Sequence, residues 1–237
     1  MTPVLRVEGL SKRYGARPAV ADLSFTLAPG EIVSFLGRNG AGKSTVIKML
    51  CGLVRPDAGA AWLDGLALLG ADPAPRRMLG AVVEAPRFYP HLTGRHNLTL
   101  VARLLGAEAA VPAMLERVGL ADRAGERFGR YSMGMKQRLG LAAAFLHRPR
   151  LVLLDEPTAG LDPVGYAQIH ELIHGLVRER GAGVLVCTHQ IAEAAALCER
   201  ALVIEAGRMV LDESLRRPEG AVAVQAWFDR MARTSAA

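Results

Sequence analysis

The stretch Gly37-Arg38-Asn39-Gly40-Ala41-Gly42-Lys43-Ser44 constrains this chain more than any other feature. It lies between a short apolar run, IVSFLG at 32 to 37, and a helical pattern, VIKMLCGL. It satisfies GxxxxGK[ST] in the strand, loop, helix context that gives the spacing its meaning. The glycines let backbone N–H groups turn inward around a chain of phosphates. The helix N-terminus adds partial positive charge, and Lys43 places a full charge near the β- and γ-phosphates. Ser44 is suited to ligate Mg²⁺. A plain Gly-rich turn has no use for Lys-Ser at its end, and an apolar run feeding such a loop is of the kind buried in a parallel sheet.

A second half of a site follows about a hundred residues later. LVLLDE at 151 to 156 reads as an apolar strand ending in two carboxylates, and strand alternation would send Asp155 and Glu156 in different directions. Asp155 suits the Mg²⁺ shell, and Glu156 could polarise an attacking water as general base. Another apolar strand, GVLVCT, precedes His189. Parallel strands deliver their C-terminal ends to one side of a sheet, so His189 is expected beside Lys43 and Asp155, within reach of a γ-phosphate.

Around these motifs the chain reads as strands 4 to 9 and 19 to 31, a helical stretch from about 87 to 149, and a helix to about 180. A further helix follows 190, and apolar segments cover 201 to 213. The last twenty or so residues suggest a small amphipathic appendage. With 237 residues and 51% apolar composition there is material for one sizeable core. Cys51, Cys187 and Cys198 form no CxxC pair and are read as buried thiols in a reducing compartment. The N-terminus has no apolar signal core and no apolar stretch reaches the length of a membrane span, so a cytosolic location is expected. The net charge of +6 is carried mostly by arginines spread along the chain, with lysine only at 12, 43, 48 and 136. That distribution argues against a nucleic-acid partner and leaves a modest attraction to an anionic membrane surface.

These pieces in this order, with YSMGMKQRLGLA at 131 to 142 and AGLDP at 159 to 163, resemble the nucleotide-binding domain of ABC transporters over nearly the whole chain. The resemblance implies an α/β fold: a P-loop (RecA-like) core over 1–86 and 150–213 with an antiparallel β subdomain, an inserted α-helical subdomain over 87–149, and an appendage over 214–237. It implies ATP and Mg²⁺ as ligands, with Gly37 through Thr45 (Gly37, Arg38, Asn39, Gly40, Ala41, Gly42, Lys43, Ser44, Thr45) holding the phosphates. Tyr14 is then the aromatic that stacks on adenine, or else part of a turn before Gly15. In the family the segment at Tyr131 to Met135 usually reads LSGGQ and binds the γ-phosphate held by the opposite subunit. Ser132 and Gly134 match it; a plain helix start is the other reading. Asp162 would cross the dimer interface, and His189 would be the switch histidine.

At VVEAP, 82 to 86, the family usually places a glutamine that touches Mg²⁺; here the residue is Glu84, which the resemblance puts beside the nucleotide and in the Mg²⁺ shell with Ser44 and Asp155. The stretch 79 to 98 looks like the drug- and peptide-antibiotic exporter branch that includes bacitracin-resistance and lantibiotic-immunity ATPases. The expected protein is an ATPase working as a homodimer, or as a heterodimer with a second such subunit. It would be held on the inner membrane face by an integral membrane permease and would drive export. An importer motor and a soluble ABC protein acting on ribosomes or DNA are the alternatives. The single GxxxxGKS and the lack of sustained heptads count against the last.

Overall fold

The computed structural model describes residues 2–234. Two sheets form its frame. In the first, β1 (Leu5–Tyr14) and β2 (Arg17–Leu27) pair antiparallel across a two-residue turn in which Gly15 takes φ +58°. β4 (Ala58–Leu63) pairs with the other edge of β1 and continues into β5 (Leu66–Ala67), giving the order β2-β1-β4-β5. Leu5, Val7, Leu10, Leu23, Phe25 and Leu27 alternate inward, as expected of strands with one buried face.

The second sheet has the order β10-β9-β3-β8-β7-β6. It comprises β3 (Ile32–Leu36), β6 (Leu79–Val82), β7 (Leu151–Asp155), β8 (Gly183–Thr188), β9 (Arg200–Glu205) and β10 (Arg208–Ser214). All its pairings are parallel except β9 with β10. Every residue of β3, β7 and β8 is buried, because both faces are covered. Val33, Phe35, Leu153 and Leu185 pack toward the first sheet and α1 (Lys43–Leu50). Ile32, Val152, Leu154, Val184 and Val186 pack toward α5 (Pro163–Arg180) and the helical region. That region comprises α2 (Gly94–Leu105), α3 (Val111–Arg117) and α4 (Met133–Phe145).

Helix begins at 94, later than the expected 87. The Thr93 hydroxyl accepts from His96 N–H and caps α2, while Asn97 ties down the Tyr89 backbone in both directions, so 87–93 is held as a loop. The segment 201 to 213 is a hairpin, turned at Ala206 and Gly207, both at positive φ. Between β8 and β9 lies α6 (Ile191–Leu197). In the C-terminal segment α7 (Pro218–Thr234) buries Val224 and Trp227 against Leu36, Ala201 and Val203, so the amphipathic appendage is docked; residues 235–237 of it lie outside the described residues. Cys187 and Cys198 are buried thiols as expected, but Cys51 is only half-buried, just beyond the end of α1. Among the described residues no helix is long and apolar enough to cross a membrane.

Candidate functional site

The loops after β3, β6 and β7 line a cleft of about 900 Å³, with the end of β8 next to that of β7. Its floor is the loop after β3. Gly42 sits at φ +113° as the residue before α1, and a Cβ there would lie 2.3 Å from the Ala19 carbonyl oxygen. Only glycine fits that approach, and it aims the α1 N-terminus into the cleft. Gly37 is equally constrained: its Cβ would come 2.4 Å from the Ile204 carbonyl oxygen.

Lys43, the first residue of α1, is 6% exposed. Its Nζ donates to the carbonyl oxygens of Gly37 at 2.5 Å and Arg38 at 3.1 Å. Burial pulls its pKa below the ordinary lysine value, opposed by nearby Cys187, Glu156 and Asp155. Asp155, at the end of β7, is buried as well. Desolvation raises its carboxyl above the usual range, partly offset by hydrogen bonds from the Ser44 hydroxyl and the Glu84 backbone N–H and by the Lys43 charge. The fold therefore joins Ser44 to Asp155, two hard oxygen donors from elements more than a hundred residues apart. A hydroxyl and one carboxylate suit Mg²⁺, which keeps several waters and takes the rest of its shell from phosphate. Among the described residues no group of three or more His, Cys, Asp or Glu is placed to hold a metal.

Glu156 and Asp155 do diverge, but not by strand alternation. β7 ends at Asp155, and Glu156 adopts φ +51°, a left-handed turn that a non-glycine residue takes only when its surroundings enforce it. Its N–H donates to the Cys187 carbonyl at 2.9 Å, and its Oε1 lies 2.8 Å from Nδ1 of His189. His189 thus stands at the expected sheet edge, with its ring engaged by the expected base.

Glu84 lines the cleft, also at positive φ, but its carboxylate pairs with Lys48 at 3.1 Å and Arg87 at 3.8 Å. The Lys48 hydrogen bond and charge hold it below the ordinary carboxylate pKa. Only its backbone N–H serves Asp155. Tyr14 stands half-exposed at the cleft mouth with the Lys12 ammonium 5.8 Å from its ring centre. Ser132 is exposed and caps α4, accepting from Met135 N–H, and Gly134 lies beside Leu161. Asp162, exposed too, caps α5 by accepting from Gly165 N–H at 2.7 Å. Both caps sit at the cleft's outer side, where Met133 and Gly160 approach each other. Sequence reasoning missed Arg17, which enters the cleft beside Gly40 from the start of β2 and carries no motif that marks it.

The sequence profile of the ABC transporter family matches residues 20–159. The chain is 39% identical to the bacitracin transport ATP-binding protein BcrA of Bacillus licheniformis, over 89% of this chain and 69% of that protein. It is 43% identical to a fluoroquinolones export ATP-binding protein of Mycobacterium tuberculosis, over 90% of this chain and 71% of that one. Among solved structures it superposes on an ATP-binding subunit of an ABC transporter at TM-score 0.80 and 34% identity, covering 90% of each chain. It also superposes on cbiO1 of Clostridium perfringens, part of the ABC transporter complex cbiONQ, at TM-score 0.83 and 26% identity, covering 91% of this chain and 90% of that one.

Proposed function

The chain belongs to the ABC transporter family as an ATP-binding, ATP-hydrolysing subunit, and from that premise we propose that it powers export through a separate membrane permease, two copies closing over two nucleotides. The observation that carries the mechanism is the Glu156–His189 contact at the ends of adjacent parallel strands, above a floor that holds Lys43 and Asp155. Backbone N–H groups of 37–45 and Lys43 bind the phosphate chain, and Tyr14 offers its exposed ring to the adenine. Ser44 and Asp155 would hold Mg²⁺, which when bound neutralises charge on the phosphate oxygens. Glu156 takes the proton of the attacking water, with His189 orienting its carboxylate and reaching toward the γ-phosphate. Ser132 and Gly134 are surface groups at a helix start, a form suited to the phosphate in a second copy's cleft, and Asp162 lies beside them on the same face.

The helical segment 87–149 inserted between β6 and β7 is read as one subdomain, the first sheet as a second, and the second sheet with α1, α5 and α6 as the core. Glu84 sits at the junction of core and helical segment, where it can report on the permease. Likeness to the bacitracin and fluoroquinolone ATP-binding proteins supports export; a position on the cytoplasmic membrane face, held by the permease and without a nucleic-acid role, goes with that reading. The test is to isolate the tagged chain from its native membranes. Co-purification with a multi-helix permease, and a drug- or peptide-sensitive phenotype on deletion, are expected; a chain that hydrolyses ATP but never accompanies a membrane protein would refute the transport reading.

A further inference from the structure

The turns that carry Glu156 and His189 meet at a third carboxylate that no phosphate-site motif includes. Glu193, on α6, is completely buried, and its two oxygens are divided between two hydroxyls: Thr158 donates to Oε1 and Thr188 to Oε2. Thr158 lies two residues past Glu156, in the turn closed by the Ala159 N–H bond to the Glu156 carbonyl. Thr188 immediately precedes His189, and its Oγ1 also accepts from Gln190 N–H at 3.1 Å, closing the turn at whose centre His189 stands. An ionised carboxylate can only accept, so Glu193 draws the one Thr188 proton, and a lone pair of the same oxygen is left to accept from Gln190 N–H; the carboxylate thus orients the hydroxyl that shapes the histidine turn. His170, itself buried on α5, places Nε2 4.0 Å from Glu193 Oε1. Burial pushes the Glu193 carboxyl up, but contacts from His170, Thr158 and Thr188 outweigh it and hold the group below its ordinary pKa.

We propose that Glu193 is a positioning residue for hydrolysis: one buried carboxylate, bridging Thr158 and Thr188, fixes the two turns that hold Glu156 against His189. The left-handed backbone at Glu156, φ +51°, is costly for a non-glycine residue, and a bridge that fixes the turn helps to hold it. The backbone bond from Glu156 N–H to Cys187 joins the strands one step earlier, and Glu193 joins the turns one step later. A buried carboxylate can accept from two hydroxyls at once. An amide in its place accepts at its oxygen only; the hydroxyl that faces its NH2 group must turn round to accept, so one of the two donated contacts is lost and that hydroxyl's orientation with it. The inference rests on the reading of Glu156 as base and His189 as its partner.

The experiment measures kcat and KM for ATP on the purified full chain for Glu193→Gln, Thr188→Val, their double variant and Glu156→Gln, with thermal melts alongside. We expect kcat to fall at least about tenfold in each of the first two, with KM for ATP within about threefold of wild type, as for misplaced but still present catalytic groups. The double variant should fall no further than the lower single, since both break one bridge. Should Glu193→Gln fail to fold, Thr188→Val, which keeps the side-chain volume and deletes the hydroxyl, carries the same expectation alone. Near-wild-type kcat in the folded variants, losses that multiply in the double variant, or KM rising in step with the fall in kcat would each overturn the proposal. Glu156→Gln separates the two claims. If it is inactive while Glu193→Gln is normal, only the positioning role fails; if it hydrolyses normally, the reading of the site fails with it.

Discussion

The Glu84 carboxylate lies 3.1 Å from the Lys48 ammonium, while the Glu84 backbone N–H reaches the Asp155 carboxylate. Side chain and main chain of one residue thus reach two elements, α1 through Lys48 and the end of β7 through Asp155. The Lys48 contact is half-exposed and adds little to stability. Replacing Glu84 by glutamine keeps the backbone bond to Asp155 and loses only a charge already answered by Lys48 and Arg87. The intrinsic ATPase rate of Glu84→Gln should change by less than about tenfold. Coupling should suffer more, so that export in cells drops while hydrolysis by the purified chain persists. If Glu84→Gln instead stops hydrolysis with ATP affinity intact, Glu84 must be promoted to base or essential metal ligand.

Lys43 supplies the full positive charge buried at the loop, held by the carbonyl oxygens of Gly37 and Arg38. Lys43→Ala should lower turnover by at least about a hundredfold, the scale for deleting a preorganised charge donor, and weaken nucleotide binding as well. The measurement is phosphate release together with equilibrium binding of a fluorescent ATP analogue. Hydrolysis near the wild-type rate would remove this loop from the chemistry.

Burial disfavours the ionised form of the Asp155 carboxyl. Its folded pKa is raised, so its favourable contribution to stability is complete below the ordinary aspartate range and is lost as pH rises through the raised folded value. Above that window the buried charge opposes folding. Asp155→Asn is therefore expected to raise the melting temperature at neutral pH without nucleotide, and to flatten the dependence on pH across the acid limb, while losing Mg²⁺-dependent turnover. Melts between about pH 4 and 8 decide it. A neutral-pH melting temperature below wild type would mean that the Ser44, Glu84 and Lys43 contacts outweigh desolvation.

What could be read in advance divides by the range of the physics. β3, its loop and α1 were legible because glycine backbone freedom and the Lys-Ser pair act within a few residues. β7 and β8 were legible as unbroken apolar runs, and that placed Asp155, Glu156 and His189 at one edge. β4 was not, since AGAAWL carries almost no strand signal and owes its conformation to the neighbouring β1. The left-handed turn at Glu156 was invisible for the same kind of reason: nothing in Asp-Glu-Pro announces positive φ, which is imposed by contacts with β8. The Glu84–Lys48 pair and the Thr158–Glu193–Thr188 bridge join residues whose local sequence says nothing of each other. They appear only once the parallel sheet brings its strand ends together.

The most direct test of the central claim is hydrolysis and association of Glu156→Gln with ATP and Mg²⁺. The glutamine keeps the size of the side chain and can still meet His189, but it cannot accept the proton of the attacking water. The rate should fall by about a hundredfold or more while ATP still binds. Two copies closed over unhydrolysed nucleotide should then accumulate as a dimer in gel filtration, to a greater extent than for the wild type under the same conditions. A variant that hydrolyses ATP at the wild-type rate, or that binds ATP and stays monomeric at every protein concentration, would contradict the account.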